Sequence, residues 1–243
     1  MRRDFPKKLS IDFIGVAKHN SCISHCLPYA FGECDLPHPE SCDNCESLFS
    51  FFETLHMNLQ EEEQQKIQGY QDKLIAFMAH HIRKVYLNAQ FSAQFSQLDA
   101  DGALIIVDYK MKILPRKARE TKNEFFGKRG WTLHSVLVYT KNSMNGKLNV
   151  EAFDHWSNDT RQDAWFTAAS LHTVMETLEQ KPKWITIVSD NGGHYHNTEL
   201  MMIMGHWKEW YDIHPSRWLF LEAGEAKTSI DSHHAQVYIK TYL

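Results

Sequence analysis

Two short apolar runs, each leading into an aspartate, constrain this chain more than any other feature. Ala103-Leu104-Ile105-Ile106-Val107 is followed at once by Asp108, and Trp184-Ile185-Thr186-Ile187-Val188 is followed by Ser189 and Asp190. Their length, their β-branched content and the turn residues around them (Asp101-Gly102 before the first, Asn191-Gly192-Gly193 after the second) read as buried strands. A carboxylate at the end of such a strand loses water, at a cost on the order of several kcal/mol unless it is paired or bound to a metal. For either acid alone, a salt bridge to a nearby Lys or Arg is the ordinary reading. Two of them at two strand ends point to a shared site, because strand ends beside a chain reversal are where α/β sheets bind ligands.

The surrounding sequence alternates strand and helix signals. Leu133 to Tyr139 and Leu148 to Phe153 read as further strands separated by a turn containing Asn145-Gly146, a strong hairpin signal. With the run before Asp108 they predict an antiparallel meander. Asp159, with Gln162 three residues on, has capping-box spacing and predicts the start of a helix. Ala164, Ala168, Leu171, Met175 and Leu178 line one face of that helix, and Pro182 stops it. The strand ending at Asp190, a helix from about Thr198 to Tyr211, a strand from Trp218 to Leu221 and a helical segment from Ile230 complete the order β-β-β-α-β-α-β-α. This is an α/β, RNase H-like order: three antiparallel strands, then parallel strands linked by crossover helices.

Upstream, residues 59–98 contain no proline and only one glycine, Gly69. Ile67, Tyr70, Leu74, Phe77, Met78, Ile82, Val85 and Tyr86 recur mostly three or four apart, which predicts one amphipathic helix. The chain therefore divides into a Cys/His region over 1–58, a helical connector over 59–98 and the α/β domain over 99–243.

All five cysteines lie between Cys22 and Cys45. An odd, tightly grouped set without a secretion signal favours metal binding over disulfides. Cys34-x3-His38-x3-Cys42-x2-Cys45 predicts a tetrahedral structural zinc site. His19, Cys22, His25 and Cys26 form a second set of the same ligand types. They serve the same ion, another site, or are simply buried. A redox reading of Cys42-x2-Cys45 lacks the surrounding βαβ pattern. No apolar run approaches the roughly 20 residues of a membrane span, and the first thirty residues lack an apolar stretch of the signal-peptide kind. An intracellular protein is expected.

Asp231, near the start of the last helix, ranks as the third acid ahead of Glu222 and Glu225, although it would also serve as an ordinary N-cap. Asp154 ends the third strand. Hard oxygen ligands of this kind select Mg²⁺ or Mn²⁺. His194, His196, His233 and His234 flank the second and third acids as proton shuttles or secondary ligands, each of which taken singly reads as an ordinary polar residue. The net charge of −4 offers no global basic footprint. A local one exists in Lys110, Lys112, Arg116, Lys117, Arg119, Lys122, Lys128 and Arg129, expected to hold a phosphate backbone; for any one of them, a solvated surface position is the bland alternative.

The strings VDYKMKILPRKARETKNEFFGKRGWTLH, VSDNGGHYHNTEL and EAGEAKTSIDSHHAQVYIK resemble, in that order, blocks of DDE/RNase H-like transposase-derived proteins from fungal and invertebrate genomes. In those proteins a Cys/His cluster and a helical stretch precede the α/β domain. The resemblance implies Asp108, Asp190 and Asp231 as a metal-binding catalytic triad with Mg²⁺ or Mn²⁺, structural zinc, and DNA as substrate. It also implies cleavage or strand transfer, a nuclear location and homo-oligomeric action. Where related sequences carry a Gly-Lys-Gly-like turn before the third acid, this chain has Glu225-Ala226-Lys227, and it ends soon after Asp231, so a shortened last helix is expected. The alternative is a catalytically inactive, domesticated or fragmentary module that binds DNA or protein.

Overall fold

The computed structural model describes residues 17–114, 119, 121–127, 130–222 and 228–242. The chain falls into two compact units, Met1–Ala93 and Gln94–Leu243.

The first unit holds a single 3-10 turn at Ile23–His25, a short helix α1 (Leu27–Ala30), α2 (Asp43–Asn58) and most of α3 (Glu61–Gln97). The long α3 follows the three-and-four spacing of its apolar residues. Helix α2 was not among the expected elements. Asp43 and Glu46 in its first turn suit the positive end of the helix dipole, and Ser47 and Thr54 bond back to carbonyls four residues earlier. One buried cluster among the described residues of this unit comprises Cys22, Cys45 and Met78, with Cys42, Leu48, Phe49 and Leu74 packed against it, and Leu27, Phe52 and Ile82 are also buried.

The second unit is built on one five-stranded sheet. Its strands are β1 (Gly102–Ile113), β2 (Trp131–Lys141), β3 (Leu148–Ser157), β4 (Trp184–Asp190) and β5 (His214–Leu221). They lie in the order β3-β2-β1-β4-β5. Strands β1, β2 and β3 form the expected antiparallel meander, and β4 and β5 run parallel to β1. The turn between β2 and β3 places Gly146 at φ +65°, a left-handed conformation that glycine adopts without penalty. Gly102 is needed for space: a Cβ there would run into the Trp184 ring on β4.

Helices follow the strands: α4 (Lys122–Phe126), α5 (Ala164–Thr177), α6 (Thr198–Gly205), α7 (Trp207–Tyr211) and α8 (Thr228–Tyr242). Side-chain alternation along the strands divides them between two faces. Ile105 and Val107 of β1, Val136 and Val138 of β2 and Ile187 of β4 pack with α5, α6 and α7 through Leu171, Met175, Leu200 and Trp207. Leu104, Ile106 and Leu137 are buried on the opposite face. There α8 packs on β1 and β2, and Phe95 meets Tyr139 edge to face.

Two local expectations are corrected. The cap of α5 is Asp163, whose carboxylate accepts from the Phe166 amide at 2.9 Å. Asp159 instead accepts from the Arg161 amide and its guanidinium, a local turn that competes with helix initiation. The helix expected over 198–211 is interrupted at His206 and closes at Asp212, which takes φ +55°.

Leu171 is fully buried between α5 and the sheet, whereas Met202 on α6 is exposed. Leu171→Ala should cost about 2–5 kcal/mol by urea unfolding, and Met202→Ala should stay within about 0.5 kcal/mol of wild type.

Candidate metal centre

Asp108 lies within the buried stretch of β1 and is itself only 8% exposed. In register it faces Ser135 on β2, which in turn faces Asp154 on β3. The three form a polar row across one face of the sheet, with the Ser135 hydroxyl donating to Asp154. Helix α8 lies over β1 and β2. Ile230, fully buried, anchors its first turn. Asp231 and His234, three residues apart, then share a helix face.

The result is a cluster. One side-chain oxygen each of Asp108 and Asp231 and one ring nitrogen of His234 all lie within 4.8 Å of one another, and these groups could hold a metal ion. The adjacent His233 reaches across to Asp154, its Nε2 3.0 Å from both carboxylate oxygens. Consecutive histidines of α8 thus engage acids on β1 and β3.

His234 decides the character of the cluster. Its Nδ1 sits 3.8 Å from Asp108 Oδ2, a distance that would suit an ion pair. Burial, with the positive charge of Lys110 and the nearby His233, pushes its pKa down to about 4, against a partial upward pull from Asp154 and Asp231. At neutral pH the ring is therefore uncharged and offers a lone pair instead of a balancing charge. Its Nε2 is buried with no hydrogen-bond partner. Two carboxylates, one buried and one exposed, beside a neutral imidazole with an unmatched nitrogen could hold a metal ion.

Asp190 is held differently. The pairing of Ile106 with Val188 sets the register of β1 and β4, so alternation two residues further puts Asp108 and Asp190 on the same face. Asp190 Oδ1 accepts from the Gly192 amide at 2.8 Å and lies 3.4 Å from His194 Nε2. The compact cluster consists of Asp108, Asp231 and His234, and Asp190 is outside it. Sequence reasoning placed His234 only among flanking histidines. The stronger signal was the Asp231-x2-His234 spacing, one turn of a helix.

Behind the acids lies an aromatic layer. The rings of Tyr109 and His134 stack at 4.3 Å, and His134 Nε2 is 3.0 Å from the Tyr195 hydroxyl. Both His134 and Tyr195 are fully buried. Burial, reinforced by the other histidines, holds the His134 pKa well below its ordinary value. Burial, then Asp108, Tyr109 and Asp190, raises that of Tyr195.

Of the basic tract, Lys110 stands on β1 two residues beyond Asp108 and acts electrostatically on His234. Arg119 and Lys122 are exposed. The Lys112 side chain, Arg116, Lys117, Lys128 and Arg129 lie outside the described residues, as does Glu225. A cavity of about 750 Å³ opens at the other end of β1, lined by residues such as Asp101, Lys141, Asn145, Glu151 and Lys183. Among the described residues, its lining brings together no metal-ligand set.

In the first unit the expected zinc set Cys34, His38, Cys42 and Cys45 does not come together as one group. Cys34 and His38 gather with His19 and Cys26, and Cys42 and Cys45 gather with Cys22 and His25. Helix α2 is the cause: its cap and first turn carry Cys42 and Cys45 toward the Ile23–His25 turn, while Cys34 and His38 stay in the segment before it. These clusters could hold zinc. Burial and the thiols of Cys42 and Cys22 push the Cys45 thiol up to about 12.

A family model described as Domain of unknown function (DUF8701) matches residues 88–241. The chain belongs to this family. No curated protein matches it in sequence. Among solved structures, the chain is similar to one titled "Crystal structure of the Mos1 Strand Transfer Complex", at 10% identity and a TM-score of 0.35, over 84% of this chain and 68% of that one. A likeness of that size transfers neither fold nor function. Among the described residues, no helix is long and apolar enough to cross a membrane.

Because native His134 resists protonation, the unfolded chain takes up a proton that the folded chain refuses as pH falls below about 6.5. Stability should therefore decline with acidification through that range, by up to about 1.4 kcal/mol per pH unit for this group. His134→Phe should flatten the slope of unfolding free energy against pH below about 6.5 while lowering stability at pH 7.5. Identical slopes would contradict the assignment.

Proposed function

We propose that this member of the family carries an RNase H-like domain performing divalent-metal-dependent phosphodiester chemistry on DNA, cleavage or strand transfer of the transposase kind. The observation that carries the proposal is the convergence of Asp108 from β1 with Asp231 and His234 from α8. The sheet order β3-β2-β1-β4-β5, with an antiparallel meander followed by parallel strands, supports it. So do the three sequence blocks around Asp108, Asp190 and Asp231.

Asp108, Asp231 and His234 would hold the ion, and Asp190, on the same face at the end of the neighbouring strand, completes the acidic triad. The imidazole shifts the preference from Mg²⁺ toward Mn²⁺, which accepts nitrogen more readily. The bound ion supplies Lewis acidity and an activated water or 3′-hydroxyl for in-line displacement at phosphorus. His233, fixed by Asp154, positions the helix that presents Asp231 and His234. Lys110 sets a positive charge beside the reacting phosphate, and the basic residues of the same tract, Lys112, Arg116, Lys117, Lys128 and Arg129, supply cationic groups for the phosphate backbone. Homo-oligomeric action in the nucleus belongs to the same proposal.

The test is Mn²⁺-dependent cleavage of DNA by the full chain, with Asp108→Asn as the isosteric comparison. The variant should retain the wild-type circular dichroism and lose activity by on the order of 100-fold or more, since it removes a charge used to hold the ion. Equal cleavage by both proteins would end the enzymatic reading. Absence of metal-dependent cleavage in the wild type would favour a silent nucleic-acid- or protein-binding module. Preference for RNA–DNA hybrids over DNA would reassign the substrate.

A further inference from the structure

We infer that the first unit is organised by two zinc ions with interleaved ligand sets: His19, Cys26, Cys34 and His38 around one, and Cys22, His25, Cys42 and Cys45 around the other. This inference is independent of the acidic cluster and of the proposed activity.

Each group brings four ligand atoms within 4.8 Å of one another. With Zn–S near 2.3 Å and Zn–N near 2.0–2.1 Å, a tetrahedral site separates sulfur from nitrogen by about 3.6 Å and sulfur from sulfur by about 3.8 Å. In the first group, His19 Nδ1 is 3.3 Å from Cys34 Sγ and 3.7 Å from Cys26 Sγ, and His38 Nε2 is 3.9 Å from Cys34 Sγ. In the second, His25 Nδ1 is 3.3 Å from Cys22 Sγ and 4.0 Å from Cys45 Sγ. These separations bracket the edges of a zinc tetrahedron. None of the five cysteines is in a disulfide.

Local structure presets the second site. A backbone bond from the His25 amide to the Cys22 carbonyl, 2.9 Å, closes the turn that aims both side chains the same way. Cys42 and Cys45 stand one helical turn apart at the start of α2, where the Glu46 amide bonds to the Cys42 carbonyl at 2.9 Å. The first site is assembled from more distant pieces, and the His19 and His38 rings lie with centroids 4.9 Å apart.

Among the described residues, one buried cluster of the unit draws Cys22, Cys45 and Cys42 from the ligands themselves, with Met78, Leu48, Phe49 and Leu74, and Leu27, Phe52 and Ile82 are buried besides. Soft thiolate and imidazole donors select zinc and gain folding free energy from it, adding to that modest apolar burial. The order of ligands along the chain makes the sites interdependent. Cys22 and His25 lie between His19 and Cys26, and Cys34 and His38 lie between His25 and Cys42, so closing either site restrains the segment that supplies the other.

The two sites differ in donors, two sulfurs and two nitrogens against three sulfurs and one nitrogen, which gives a spectroscopic test. Native mass spectrometry of the full chain should count two zinc ions per chain, and ¹¹³Cd substitution should give two thiolate-region resonances, the three-sulfur site further downfield. A carboxylate-bound ion resonates far upfield of both. The conservative swaps keep the ligand number so that folding is preserved. His38→Cys should move only the two-sulfur resonance downfield, and His25→Cys only the three-sulfur one. One zinc per chain, a single thiolate resonance that His38→Cys moves and His25→Cys leaves alone, or failure to retain metal would each overturn the inference.

Discussion

The interaction on which the α/β unit turns is the approach of two carboxylates, Asp108 and Asp231, where the sheet withholds water from the first of them. Asp108 follows five residues that are essentially inaccessible, and it is nearly as buried as they are. The helix that brings Asp231 to it is fixed by an apolar anchor at Ile230 and by the His233–Asp154 contact. Burial pushes the pKa of His234, the imidazole beside the two acids, down to about 4, so its ring is uncharged at neutral pH. Packing thus gathers two carboxylates and a neutral imidazole that together could hold a metal ion.

Strands, helices and their order were largely legible in the residues, because a run such as Leu104-Ile105-Ile106-Val107 has few other uses in a chain of this composition. The meander followed from the turn at Asn145-Gly146. The misread features share a different origin. Asp159 and Asp163 both offer a capping carboxylate, and only the competing bond from Asp159 to Arg161 decides between them. Nor does residue type announce that the Asp190 carboxylate accepts from the backbone of its own turn through Gly192. Patterns of residue type do not record which donor a carboxylate will meet.

The cysteine region shows the same limit at longer range. Proximity along the chain grouped Cys34 with Cys45, but a helix beginning at Asp43 separates them, and each half of that set gathers with two residues from the preceding segment. The ligand types were readable, and the partition was not. The resulting chain sorts its donors by softness: thiolates and imidazoles in the first unit, carboxylates with one imidazole in the second. Donors of the first kind suit zinc and those of the second suit harder divalent ions.

The most direct test of the carboxylate–imidazole account is electron spin-echo spectroscopy of Mn²⁺ bound to the zinc-loaded full chain. The account predicts modulation from a directly coordinated imidazole nitrogen, abolished by His234→Gln, with Mn²⁺ affinity falling sharply in Asp231→Asn. Mn²⁺ bound with no nitrogen coupling, or bound equally well after Asp231→Asn, would show that these side chains do not share an ion.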